Sequence, residues 1–174
     1  PDQGDMFSPA WGPDSRRLAY IQQRDGRLQI VIEEANGDRV PAGDISAQGI
    51  DVIARQLDWS PDGRILAVTN KPANDEPFRI ELIHIRERRR TTLTVPPALS
   101  DGDFEPRFSP DGSRLAFLRQ NSRGVAGVLV VTLPSSEPVA VTDERGAFTG
   151  IDWSPDSRSL VVSGEAAGVH RLWR

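Results

Sequence analysis

Apolar side chains recur along this chain in short alternating runs, broken at intervals of roughly 8–12 residues by Gly, Pro, Asn, Asp or Ser, the pattern of an all-β protein. The pattern predicts a first group of strands at Phe7 to Trp11, Leu18 to Ile21 and Leu28 to Ile32, with a weak fourth over Asp38 to Pro41 after an Asn36-Gly37 hairpin turn. A second group follows at Gln56 to Trp59, Ile65 to Thr69, Phe78 to Ile85 and Thr91 to Val95. The third comprises Glu105 to Phe108, Leu115 to Arg119, Val128 to Thr132 and Pro138 to Val141. The fourth has Thr149 to Trp153, Leu160 to Ser163 and Val169 to Trp173. Between the first two groups, Ala42 to Ala54 has no clean period and reads as an irregular excursion. In the run from Phe78 to Ile85, Ile80, Leu82 and His84 point one way and Glu81, Ile83 and Ile85 the other, so both faces carry apolar groups. Such a sheet packs between two neighbours.

The groups are copies of one unit. Trp11-Gly12-Pro13-Asp14-Ser15 returns as Trp59-Ser60-Pro61-Asp62-Gly63, Phe108-Ser109-Pro110-Asp111-Gly112 and Trp153-Ser154-Pro155-Asp156-Ser157. The aspartates Asp14, Asp62, Asp111 and Asp156 are spaced by 48, 49 and 45 residues. A period near 45 residues with four strands per unit is the signature of a β-propeller. Ser, Pro, Asp, Gly in that order suit a type I turn, because Pro presets φ at the second position and Asp tolerates the third. The four aspartates are therefore structural turn formers. With Ser15 and Ser157 in place of glycine, those two turns are expected to be less regular. Trp11, Trp59, Phe108 and Trp153 hold one equivalent position per unit and read as blade-to-blade packing residues.

The expected fold is an all-β propeller of four units, each of four antiparallel strands, with the last blade lacking its closing strand. Residues 1–174 form one domain, with units at approximately 6–54, 55–103, 104–147 and 148–174. The stretch Pro1 to Asp5 is neither a signal peptide nor a natural start, so the chain reads as an excised piece. An open edge carrying Val169, Leu172 and Trp173 is a pairing hazard. Three arrangements follow: a closed four-bladed ring, an open part of a longer propeller, or two chains joined as half-propellers. Association through blade edges, as a homodimer, is the expectation.

Charge narrows the partners. A net charge of −4 with 26% charged residues keeps the chain soluble and provides no electrostatic footprint for nucleic acid. No apolar run approaches 18 residues, so this segment does not insert in a membrane as a helix. Without cysteine there are no disulfides or thiolate ligands, in either redox compartment. The sequence holds no Gly-x-Ser-x-Gly elbow, His-Glu-x-x-His pair, phosphate-binding glycine loop or calcium loop. It assigns no catalytic residue, cofactor or metal. His84, in an apolar run, and His170, in the last strand, read as packing or edge residues, and Arg86-Glu87-Arg88-Arg89-Arg90 as a solvated hairpin tip. What remains is a set of charged loop residues gathered at one end of the channel. Asp5, Arg55, Asp101, Asp103, Glu105, Glu144 and Arg145 lie nearest it, with Arg24, Asp75, Glu76, Arg123 and Glu165 further out. They form a candidate mouth for a protein partner or small ligand.

The aromatic-Ser-Pro-Asp-Gly phrase followed by an apolar strand resembles the repeat of TolB-like propellers, a relative of the WD repeat, over essentially the whole chain. In the second half, Gly102-Asp103-Phe104-Glu105-Pro106, Leu115-Ala116-Phe117, Gly150-Ile151-Asp152-Trp153 and Leu172-Trp173 are similar to propeller regions attached to bacterial winged-helix transcriptional regulators. Some bacterial receptor-type serine/threonine kinases carry similar propellers. The resemblance implies a non-enzymatic sensory or interaction module of a larger bacterial protein, in an extracytoplasmic (periplasmic) location. Two alternatives stay open: the substrate-gating propeller of a prolyl oligopeptidase-like peptidase, and a propeller glycosidase using channel carboxylates. The second requires two carboxyl groups about 5–10 Å apart.

Overall fold

The repeated phrase turns the chain between the first two strands of every unit, and a four-bladed propeller arrangement follows from it. The computed structural model describes residues 4–46, 56–122, 125–134, 137–142, 146–166 and 168–174. The first blade contains β1 (Asp5–Trp11), β2 (Arg17–Arg24), β3 (Arg27–Glu34) and β4 (Arg39–Ile45), antiparallel and in sequential order. The second has β5 (Leu57–Trp59), β6 (Ile65–Asn70), β7 (Arg79–His84) and β8 (Arg89–Thr92). The third has β9 (Gly102–Phe108), β10 (Arg114–Ser122), β11 (Val125–Thr132) and β12 (Val139–Ala140). The fourth has three strands, β13 (Ala147–Trp153), β14 (Leu160–Ala166) and β15 (Val169–Trp173). No helix occurs among the described residues.

The turns are more uniform than their sequences. In each, the N–H of the fourth residue donates to the carbonyl of Gly12, Ser60, Ser109 or Ser154 at 2.8–3.0 Å. Ser15 and Ser157 adopt φ of 56° and 60°, against 67° and 72° for Gly63 and Gly112, so the expected irregularity is absent. The physical reason lies one residue earlier. Each aspartate carboxylate accepts a backbone N–H two residues on, from Arg16, Arg64, Ser113 or Arg158, at 2.9–3.0 Å. These bonds hold the turn against a left-handed cost of about 1–2 kcal/mol for a residue with a Cβ. Ser60, Ser109 and Ser154 also donate their hydroxyls to Asp62, Asp111 and Asp156 at 2.6 Å. The Ser109 hydroxyl, with the N–H and hydroxyl of Ser113, lowers the Asp111 carboxyl to about 2.

Alternation sends apolar residues to both faces of each blade, and three buried clusters fill the seams. Ile21, Ile30 and Ile32 meet Leu57, Trp59 and Leu66 at the first seam. Ala67, Ile80 and Leu82 meet Phe108, Leu115 and Phe117 at the second. Ala116, Leu118 and Val128 meet Ile151 and Val162 at the third. Among the described residues no buried cluster joins the fourth blade to the first. Ile80 and Leu82 lie in the second seam and Ile83 and Ile85 in the first, as the alternation requires.

The repeat aromatics do not all share one environment. The Trp59 indole donates to the Ala10 carbonyl and the Trp153 indole to the Arg107 carbonyl, both at 3.0 Å. Phe108 is buried, and its N–H donates to the Asp58 carboxylate at 2.7 Å. Trp11 departs from the expected packing role: it is 68% exposed, because no blade among the described residues covers its face. At the other end Leu172 is 73% exposed, while Trp173 packs edge-on to Phe148 with centroids 5.6 Å apart.

Several strands start or stop at other residues than the pattern predicts; β9, β11 and β13 begin earlier and β10 and β14 run further. Ala42 to Ile45, expected in the irregular stretch, continue β4, and residues 47–54 of that stretch lie outside the described residues. β8 ends at Thr92, because the N–H groups of Leu93 and Thr94 both turn onto the Ile80 carbonyl at 2.9 and 3.3 Å.

Candidate binding site at the channel mouth

The first strand of each blade is the innermost. β1 packs on β5, β5 on β9 and β9 on β13, so these strands line the axis, and the mouth lies where they begin. β1 and β9 each break register three residues before their aromatic, at Ser8 and Glu105, both with φ of 53°. Such a bulge re-aims a side chain. Glu105 is consequently buried, with its Oε2 3.5 Å from Arg107 Nη2. A Cβ added at Gly150 of β13 would lie 4.0 Å from that same oxygen, so the carboxylate reaches the third seam.

Asp103, two residues earlier, is fully buried and accepts from both Arg119 Nε and Nη2, at 2.7 and 2.9 Å. Burial pushes its carboxyl up, against the hydrogen bonds of Arg119 and Thr94 and the Arg119 charge. Between these acids and the second blade sits a backbone clamp. Phe78 N–H donates to the Asp101 carbonyl at 3.1 Å and Asp103 N–H to the Phe78 carbonyl at 2.7 Å. Phe78 and Gly102 thus form a parallel bridge.

The clamp shapes a hollow of about 400 Å³ above it. Its floor is the Phe78 and Phe104 rings, with centroids 4.9 Å apart, and its rim carries Asp75, Glu76, Asp101 and Lys71. Lys71 Nζ lies 5.3 Å from the Phe78 ring centroid. Three of the predicted mouth residues, Asp75, Glu76 and Asp101, therefore meet in one place. Asp103 and Glu105 lie beneath, engaged by arginines. Asp5 is exposed at the start of β1, Arg24 ends β2, and Glu165 is exposed in β14. Arg55, Arg123, Glu144 and Arg145 fall outside the described residues. An acidic rim over an aromatic floor suits recognition of a polar or cationic group. Among the described residues no group of three His, Cys, Asp or Glu side chains could hold a metal ion.

Sequence reasoning missed one charged cluster. Glu81 of β7 is buried at the first seam, where it accepts from Asn70 Nδ2 at 3.0 Å and pairs with Arg79 at 2.7 Å and Arg90 at 3.3 Å. The signal was present: an acid occupies an apolar-period position between Ile80 and Leu82. Arg86 to Arg88 do turn the β7–β8 hairpin, and His170 is exposed in β15.

No family model matches the chain. It is 32% identical over 116 residues to the Tol-Pal system protein TolB of Alcanivorax borkumensis, covering 65% of this chain and 26% of that protein. It is 28% identical over 169 residues to an uncharacterized peptidase of Bacillus subtilis, covering 89% of this chain and 21% of the peptidase. The crystal structure of TolB from Acinetobacter baumannii superposes with a TM-score of 0.77 at 20% identity, over 97% of this chain and 40% of that one. The chain thus spans about a quarter of the length of these curated relatives, and its fold is that of a TolB-like propeller.

Proposed function

We propose that this chain is the non-enzymatic interaction module of a larger bacterial protein, with an extracytoplasmic location, and that it binds a protein or small ligand at the channel mouth. The observation that carries this reading is the state of the mouth carboxylates. Asp103 is held bidentate by Arg119, and Glu105 is paired through one oxygen with Arg107 at 3.5 Å, so the buried acids preorganise a rim instead of presenting a free acid and base. That same pairing weighs against a glycosidase. The reading that the module belongs to a winged-helix regulator rests on sequence resemblance in the third and fourth blades.

A second surface supports association. Trp11 and Ser15 on the first blade are the equivalents of Trp153 and Ser157, whose indole and hydroxyl bond the Arg107 carbonyl and the Asp111 N–H of the preceding blade at 3.0 Å each. The open fourth blade offers Asp152 and Asp156 at the matching positions. Two copies joined at these faces would place the two half-propellers around one channel.

The similarity to a peptidase favours one alternative, the gating propeller of a hydrolase, in which this segment is likewise not the catalyst. A neighbouring α/β-hydrolase domain in the parent sequence would select it, whereas a winged helix would select the regulator. The non-enzymatic reading is tested with aminoacyl p-nitroanilides and p-nitrophenyl glycosides. The 174-residue chain is expected to leave both at the buffer rate, and turnover that disappears in Glu105→Gln would overturn it.

A further inference from the structure

The seams between blades are not filled alike. Leu18, Leu66 and Leu115 pair in register with Trp11, Trp59 and Phe108, so the residues just before them, Arg17, Ile65 and Arg114, are structural equivalents. At the first seam the Arg17 guanidinium lies 4.8 Å from the Trp59 ring centroid. At the third, Arg114 lies 4.7 Å from that of Trp153 and donates to the Ser157 carbonyl. Each pair is a cation–π plug across the turn end of its seam. At the second seam the equivalents are Ile65 and Phe108, and the aliphatic Ile65 has no cation to lay over the Phe108 ring.

The consequence is a hollow. At the second seam it measures about 820 Å³, against about 380 Å³ at the corresponding place in the first seam, which Arg17 crosses. The larger volume falls within the range of small-molecule sites, about 300–1,000 Å³. Ile65, Leu82, Leu93, Phe108 and Leu133 give it apolar walls. Its outer end carries Arg89, whose Nη2 lies 3.4 Å from His84 Nε2. A guanidinium only donates, so Nε2 is the acceptor in this contact, which steadies the cation. Among the described residues Arg89 has no carboxylate within 4.0 Å, and neither have Arg86 and Arg88 on the same hairpin. At the opposite end Asp62 and Asp111 are bound into their own turns by Ser60 and Ser109.

We propose that this seam is a binding site for a small amphipathic carboxylate, its apolar body against Ile65 and Phe108 and its carboxylate on Arg89. The hollow is apolar where the body would lie, and its unneutralised charge is positive at one end. A carboxylate there would receive charge-assisted hydrogen bonds from a guanidinium already held by His84. The site lies at the turn end of the blades, away from the channel mouth, so it stands or falls apart from the mouth reading.

The test uses 4-phenylbutyrate as the probe, with 4-phenylbutanol as the neutral control, followed by amide chemical shifts in the intact chain. The expected result is saturable shifts at Ile65, Phe108 and Thr91, with the carboxylate bound about ten-fold more tightly than the alcohol. Arg89→Gln, at an exposed position, should erase that preference. The double variant Ile65→Arg, Phe108→Trp installs the plug of the other two seams and should abolish binding of both probes. Equal affinity for carboxylate and alcohol, no shifts up to the solubility limit, or a preference unchanged in Arg89→Gln would overturn the proposal. If the double variant does not fold, Arg89→Gln alone decides.

Discussion

Trp59→Ala is expected to destabilise the chain by about 3–5 kcal/mol, the cost of truncating a buried aromatic. That corresponds to a fall of roughly 6–20 °C in the thermal midpoint for a chain of this size. The loss has three sources. The indole is 6% exposed in the first-seam cluster, its N–H donates to the Ala10 carbonyl, and its face carries the Arg17 guanidinium. Trp11→Ala is the internal control, since it removes the same residue from the same turn phrase where the ring is exposed. In dilute solution it should change stability by only about 0.5 kcal/mol. Thermal unfolding followed by far-ultraviolet circular dichroism compares the two. Equal losses would mean that the aromatics act through the turn and not through the seam.

Gly102→Ala should be as severe, for a different reason. Gly102 has φ of 120°, a conformation that residues with a Cβ rarely adopt. An added Cβ would fall 2.2 Å from the Phe78 carbonyl oxygen and 2.3 Å from its nitrogen, both rigid backbone atoms. Strain and overpacking of about 1–3 kcal/mol each add to the loss of the clamp bonds, giving roughly 3–5 kcal/mol in all. Because the clamp ties the second blade to the start of β9, amide exchange should accelerate first at Phe78 and Asp103. Gly112→Ala, where the nearest atom is a Pro61 side-chain carbon at 3.7 Å, should show only the left-handed penalty of about 1–2 kcal/mol. A Gly102→Ala variant no less stable than Gly112→Ala would refute the clamp.

The blade architecture was legible because it is written locally and four times. Pro and Asp fix the turns, the aromatic precedes them, and the alternation after them assigns Ile80 and Leu82 to one seam and Ile83 and Ile85 to the other. Three things escaped for reasons that are not local. Ser15 and Ser157 take a glycine-like φ because an aspartate carboxylate holds the turn, which the residue itself does not announce. Glu105 is buried because β9 bulges, and a one-residue slip reverses which face a side chain takes. Glu81 is buried because arginines from two strands and Asn70 converge on it. The mouth was legible in part: Asp75, Glu76 and Asp101 share a hollow, yet its Phe78–Phe104 floor depends on a backbone bridge between blades.

The proposed association of two copies rests on two exposed apolar residues, Trp11 on the first blade and Leu172 on the fourth. Solution mass by light scattering on a sizing column, across a range of concentrations, tests it most directly. The expected result is a concentration-dependent species near twice the 19.1 kDa chain mass that reverts to single chains in Trp11→Ala. A single-chain mass at every concentration, or a dimer indifferent to Trp11→Ala, would contradict it.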